Sequence, residues 1–221
     1  MCGRFTLTLD LGGLEGRFDF RAKDLPHAPR YNVAPTQAVL SITRNGGNQA
    51  ELMRWGLIPS WAKDPSIGNR MINARAETVA EKPSFKRSLQ KRRCLILADG
   101  FYEWKKDGKK KTPMYIALKS RQPFAFAGLW EAWKAPSGET VRSCTIITIT
   151  PNALMEPIHN RMPVILTKEA ESTWLDGAIE DPKKLTSLLV PYPSDAMEAY
   201  AISTLVNSPT NDTPDCIKPL R

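Results

Sequence analysis

The dipeptide Asp107-Gly108 lies between two strand-like runs, a setting that predicts a type I′ turn. A two-residue connection permits only antiparallel pairing, because parallel strands need a crossover of about a dozen residues or more. The surrounding chain repeats that grammar. Residues 5–9 alternate apolar and polar, and residues 39–42 and 52–55 flank the turn-rich Asn45-Gly46-Gly47-Asn48. Residues 94–98 form an uninterrupted apolar run. Further strands fall at 114–118, 124–129 and 141–149, divided by Arg121-Gln122-Pro123 and Pro136-Ser137-Gly138. Helical signals are fewer. A short helix is expected within residues 10–25, and another from Pro83-Ser84 to about residue 92, with Phe85 and Leu89 as an i,i+4 apolar pair. One helical turn is expected over 151–155, and two more helices after Thr167 and after Asp181-Pro182. The Pro- and Asn-rich residues 207–219 are expected to wrap the surface. The predicted fold is α+β: one domain over residues 2–221, with a dominant, mostly antiparallel sheet core, sandwich- or barrel-like, and a few peripheral helices.

Composition narrows the chemistry. A formal net charge of +8 points to a polyanionic partner, with nucleic acid the simplest. The four cysteines (Cys2, Cys94, Cys144, Cys216) contain no Cys-x-x-Cys pair, and the two histidines are His27 and His159. No metal site and no cofactor are expected from that set. Cys94 and Cys144 lie in apolar runs and read as small core residues. This usage suits a reducing, cytoplasmic setting. The first 25 residues lack a continuous apolar segment, and no 18-residue apolar span occurs, so neither secretion nor membrane spanning is expected.

The start, Met1-Cys2-Gly3-Arg4-Phe5, carries the sharpest chemical hint. Removal of Met1 would leave Cys2 with an α-amine of reference pKa about 7.7–8.0 beside a thiol of about 8.5. Such a 1,2-aminothiol converts an aldehyde first to an imine and then, by thiol addition, to a five-membered thiazolidine. Three other residues carry matching chemistry. Glu103 sits among Phe101, Tyr102 and Trp104, where burial raises a carboxyl pKa toward the general acid–base range. His159 lies between Pro157 and Pro163 and is a candidate proton donor, and Asn73 is suited to orient a carbonyl or hydroxyl. Arg75 and Arg161 are suited to hold phosphate, and Trp61 to stack on a base. Each also has a plain structural reading: Glu103 as a hairpin ion-pair partner, His159 as a loop residue, Asn73 as a turn residue.

Six ordered motifs join these residues: Met-Cys-Gly-Arg-Phe, Arg30-Tyr31-Asn32-Val33-Ala34-Pro35, Trp55-Gly56-Leu57-Ile58-Pro59-Ser60-Trp61, Asn73-Ala74-Arg75-Ala76-Glu77-Thr78, Asp99-Gly100-Phe101-Tyr102-Glu103-Trp104 and His159-Asn160-Arg161-Met162-Pro163. Together they resemble the SRAP (SOS response-associated peptidase) family over residues 2 to about 210. The resemblance implies a protein that senses abasic sites in single-stranded DNA and shields them by a covalent crosslink, with a self-processing peptidase activity at its own N-terminus. It implies that Cys2 forms the thiazolidine with the ring-opened deoxyribose. Asn73 and His159 would hold and protonate the sugar, and Glu103 would serve the proton transfers of ring opening, imine formation and reversal. Thr148 would shape the pocket. Arg4, Arg75 and Arg161 would contact phosphates, and Pro35, Trp61 and Trp104 would support the strand. Some members carry an Arg-Met pair just before the equivalent of Phe85. This chain has Pro83-Ser84, so that contact passes to Lys82 or Lys86. A monomer is the default, nucleoid-associated if bacterial. The competing enzyme reading is an N-terminal-nucleophile cysteine peptidase or amidohydrolase acting without DNA.

Overall fold

The computed structural model describes residues 2–20 and 25–220. The fate of Met1, the end of the 10–25 helix window and the last residue of the predicted domain lie outside those residues. The strands are β1 (Phe5–Leu7), β2 (Arg30–Val33), β3 (Ala38–Arg44), β4 (Asn48–Trp55), β5 (Asn73–Arg75), β6 (Arg93–Ala98), β7 (Gly100–Asp107), β8 (Lys110–Leu118), β9 (Phe124–Lys134), β10 (Thr140–Ile149), β11 (Met162–Pro163), β12 (Ile165–Leu166) and β13 (Met197–Ala201). The helices are α1 (Leu11–Phe18), α2 (Pro83–Lys91), α3 (Lys168–Leu175) and α4 (Pro182–Thr186).

Two sheets result. In one, β10, β4, β3, β6 and β9 pair in sequence, and β9 returns to β10, closing a five-stranded barrel-like ring. The other is open, in the order β13-β8-β7-β1-β2. Pairing is antiparallel except where β10 runs parallel to β4 and β5. Strand alternation explains the uninterrupted apolar run in β6. Leu95 and Leu97 face one core with Leu40, Leu129 and Trp174, beneath α1, α2 and α3. Cys94 and Ile96 face a second core with Phe5, Trp55, Phe101 and Phe126, against the open sheet. Successive residues point to opposite faces, and here both faces are covered.

Helix ends follow their capping chemistry. Asp10, Thr167 and Asp181 accept N–H bonds at the starts of α1, α3 and α4. The turn expected over 151–155 is present, with the Asn152 carbonyl accepting from the Met155 and Glu156 N–H groups, and turns run on to Ile158, with the Ile158 and His159 N–H groups both bonding the Met155 carbonyl. Two expectations need correction. The hairpin loop is Gly108-Lys109, because Asp107 is paired with Lys110 and still belongs to the strand. Gly108 takes φ +56°, whereas Lys109 has no positive φ. A single positive φ at the first loop position fits a type II′ turn, not type I′. The tail does more than wrap the surface: Val206 and Cys216 are buried, and Asn32 Nδ2 donates to the carbonyls of Val206, Ser208 and Asn211. Among the described residues no helix is long and apolar enough to cross a membrane.

Candidate active site

Three pairings bring the distant motifs together. β1 lies beside β7, with Phe5 opposite Phe101 and the Tyr102 N–H donating to the Arg4 carbonyl at 2.9 Å. Residues 2–4 therefore run alongside 102–104. Gly100 leaves room for the Tyr115 ring from β8, since a Cβ there would lie 2.1 Å from the Tyr115 hydroxyl. β5 aligns with the end of β10, with Ile146 opposite Asn73 and Thr148 opposite Arg75. The adjoining turn is fixed by Trp55, whose indole N–H donates to the Ile72 carbonyl. β11 pairs with the same end of β10 on its other side, with Thr148 opposite Pro163, and the loop before it carries His159 and Arg161. Asn152 orders that loop by accepting the Met155 N–H and donating to the Tyr192 carbonyl.

Cys2 is fully buried. Asn73 Nδ2 donates to its carbonyl at 2.8 Å, and the buried Asn73 Oδ1 has no hydrogen-bond partner among the described residues. Burial pushes the Cys2 thiol pKa well up, and the Glu103 carboxylate pushes it further, against a backbone bond from Arg4. Glu103 is 3% exposed, and burial raises its own pKa. His159 Nε2 stands 3.9 Å from Glu103 Oε2. His159 Nδ1 lies 3.0 Å from the Arg161 backbone nitrogen and 3.2 Å from the Arg161 carbonyl oxygen, which fixes the ring with Nε2 on the Glu103 side. Burial lowers the His159 pKa, favouring the neutral form. Burial thus moves the two pKa values toward each other, Glu103 up and His159 down, a pairing that suits passing a proton.

The other predicted residues divide into two groups. Thr148 is buried, with its Oγ1 bonded to the Ala74 carbonyl. Arg161 holds Glu77 with two bonds, at 2.6 and 2.9 Å, and the Thr148 carbonyl at 2.6 Å. Arg4 donates to Asn32 Oδ1 and the Val206 carbonyl and lies over the Trp104 ring. These two arginines are braces of the site as it stands. Arg75, Lys82 and Lys86 are exposed, and Trp61 is 61% exposed. Pro35 is half-buried just before Thr36, and the Trp104 indole donates to Asn207 Oδ1. An open cleft of about 470 Å³ is lined by Glu103, Trp104, Lys106, Lys111, His159 and Asn207. Sequence reading missed Asn32, Asn152 and Asn207; only Asn32 fell within a motif, and their partners lie too far along the chain for local patterns to reveal. No group of side chains suited to a metal occurs among the described residues.

A buried cysteine at position 2, bonded through its carbonyl by an asparagine and close to a carboxyl–imidazole pair on a mixed β fold, marks the class of protein to which the chain is compared. The chain belongs to the SRAP family, SOS response associated peptidase, whose profile matches residues 1–209. Among its relatives, the abasic site processing protein YoqW of Bacillus subtilis is 54% identical over 223 residues, covering 99% of each chain. The abasic site processing protein HMCES of Xenopus tropicalis is 34% identical over 262 residues, covering 98% of this chain and 78% of that one. A crystal structure of a Bacteroides thetaiotaomicron protein superposes with a TM-score of 0.91 at 31% identity, covering 100% of both chains.

Proposed function

We propose that this chain processes abasic sites in DNA, trapping the sugar aldehyde on Cys2 once Met1 has been removed. The observation that carries the reading is the meeting of Cys2, Asn73, Glu103 and His159, from four separate segments, around one chain end. An abasic sugar is mostly a closed hemiacetal, so a proton must move before an aldehyde is available. Glu103, with its raised pKa, donates to the ring oxygen, and His159 Nε2–H steadies the oxygen that develops charge. The freed Cys2 amine attacks the aldehyde carbon, and water leaves as the imine forms. The sulfur then adds to the imine carbon, and its proton passes to the nitrogen, closing a thiazolidine. Asn73 holds the Cys2 carbonyl so that nitrogen and sulfur face the same carbon.

The buried, protonated thiol favours this order of events over a peptidase that works on amides. A cysteine peptidase needs a thiolate, and both burial and the nearby carboxylate oppose one here. The finer parts of the reading are that the DNA is single-stranded, that the chain acts as a monomer, and that the imine chemistry is lyase-like. The positive surface holds the backbone without sequence preference. Arg75, Lys82 and Lys86 offer exposed charge, Trp61 an exposed ring and Pro35 a stiff corner. Trp104 borders the cleft. Arg4 and Arg161 serve phosphate through the loops they brace, or by exchanging their present partners. The test mixes the purified protein with an oligonucleotide bearing one abasic site and resolves the products on a denaturing gel. The expected result is a shifted band, lost in Cys2→Ala and in chain that keeps Met1. A band of equal intensity in Cys2→Ala overturns the proposal.

A further inference from the structure

Lys106 and Lys111 have no role in the chemistry above, yet both line the cleft that holds Glu103 and His159. They are direct cross-strand partners in the β7–β8 hairpin. Like charges directly opposite one another destabilise a hairpin, so this pair is unfavourable unless an anion joins it. Both are exposed, and neither enters an ion pair among the described residues. Asp107, the nearest acid in the hairpin, is paired across the strands with Lys110 instead. The Lys106 charge also reaches the reaction centre, since after burial it is among the causes that hold the His159 pKa down. Trp104, between Glu103 and the lysines in sequence, is pinned to Asn207 and floors the cleft with an apolar ring.

We propose that Lys106 and Lys111 are a phosphate clamp that seats the phosphate borne by the reacting sugar, placing the sugar carbon between Glu103 and His159. This rests on the aldehyde-trapping reading and adds to it a substrate class: the site takes phosphate-bearing aldoses in preference to neutral ones, free in solution as well as within DNA. The bond changes are those already described. One C–N and one C–S bond form at the aldehyde carbon, its oxygen leaves as water, and no oxidant or reductant is needed. Lysine suits the task because its ammonium is a compact charge that tolerates a phosphate approaching from several directions.

The test uses the full chain with Met1 removed, incubated separately with 2-deoxyribose 5-phosphate and with 2-deoxyribose. Adduct formation is followed by intact mass. The two sugars differ in open-chain fraction, so the quantity read is the rate ratio in the wild type divided by the ratio in K106A/K111A, in which that fraction cancels. A quotient of about ten is expected at low ionic strength, the size of one charge-assisted contact. It should fall as salt is added and be restored in K106R/K111R. A quotient of one, or one insensitive to salt, overturns the clamp while leaving the aldehyde-trapping reading intact. Absence of adduct with either sugar in the wild type overturns both.

Discussion

At the scale of single residues, Glu103 stores the tension on which the site depends. Its carboxyl is buried, which favours the protonated form and so raises its pKa. Between the ordinary carboxylate pKa and that raised value, the folded chain holds a proton that the unfolded chain has released, so stability falls as pH climbs through the interval. Glu103→Gln removes this cost. Its melting temperature should exceed the wild type at about pH 8, and the gap should close at about pH 3, where both states of the wild type are protonated. A gap independent of pH, measured by thermal unfolding, contradicts the burial argument. The same variant should crosslink about a hundredfold more slowly, the typical worth of a positioned acid–base group, and reversal of the adduct should slow with it. Unchanged time courses would remove Glu103 from the proton transfers.

At the scale of elements, β1 is only Phe5–Leu7, and Cys2, the proposed nucleophile, lies three residues before it. Asp99 holds it in place. Its carboxylate accepts from Thr6 Oγ1 at 2.5 Å and from the Thr8 N–H and Oγ1, both at 2.6 Å. Asp99→Ala leaves those donors without their acceptor, at an expected cost of about 2–4 kcal/mol. That corresponds to a fall of roughly 5–15 °C in Tm for a chain of this size. Crosslinking should decline as well, since a loosened β1 moves Cys2 away from Asn73. A melt that matches the wild type would show that β1 is held by its sheet partners alone. The strands and helices were largely legible: the capping residues Thr167 and Asp181, the 83–91 helix and the continuous run in β6 each follow from local pattern. The hairpin tip was misread by one residue, because strand pairing set by β7 and β8 as a whole outweighed the Asp-Gly preference at the tip. How the turns at 151–158 are anchored was not legible, because Asn152 ties them to Tyr192, forty positions away.

At the scale of the whole molecule, the net charge of +8 gives the chain an affinity for phosphate backbone that salt must weaken. The exposed Arg75, at the end of β5, belongs to that field. For undamaged single-stranded DNA, Arg75→Ala should lower the magnitude of the slope of log K against log salt by about 0.7, one phosphate contact's worth. Equal slopes for the two proteins, measured by fluorescence anisotropy across a salt series, would place Arg75 outside the DNA path. Arg161 differs: Glu77 already neutralises it, so its removal should act on the His159 loop more than on the salt slope.

The order of residues along the chain was enough to establish a mostly antiparallel β core, cysteines buried within it and membership of a motif-defined family. Those properties depend on local periodicity, composition and motif order. Closure of the ring by β4 against β10, the parallel alignment of β5 with β10, the approach of residue 2 to residues 73 and 103, and that of 103 to 159 were decided only by tertiary structure. So were the opposed pKa shifts of Glu103 and His159 and the internal partners of Arg4 and Arg161. Burial and hydrogen-bond partners are created when distant segments share one small volume, and no stretch of sequence contains that volume by itself.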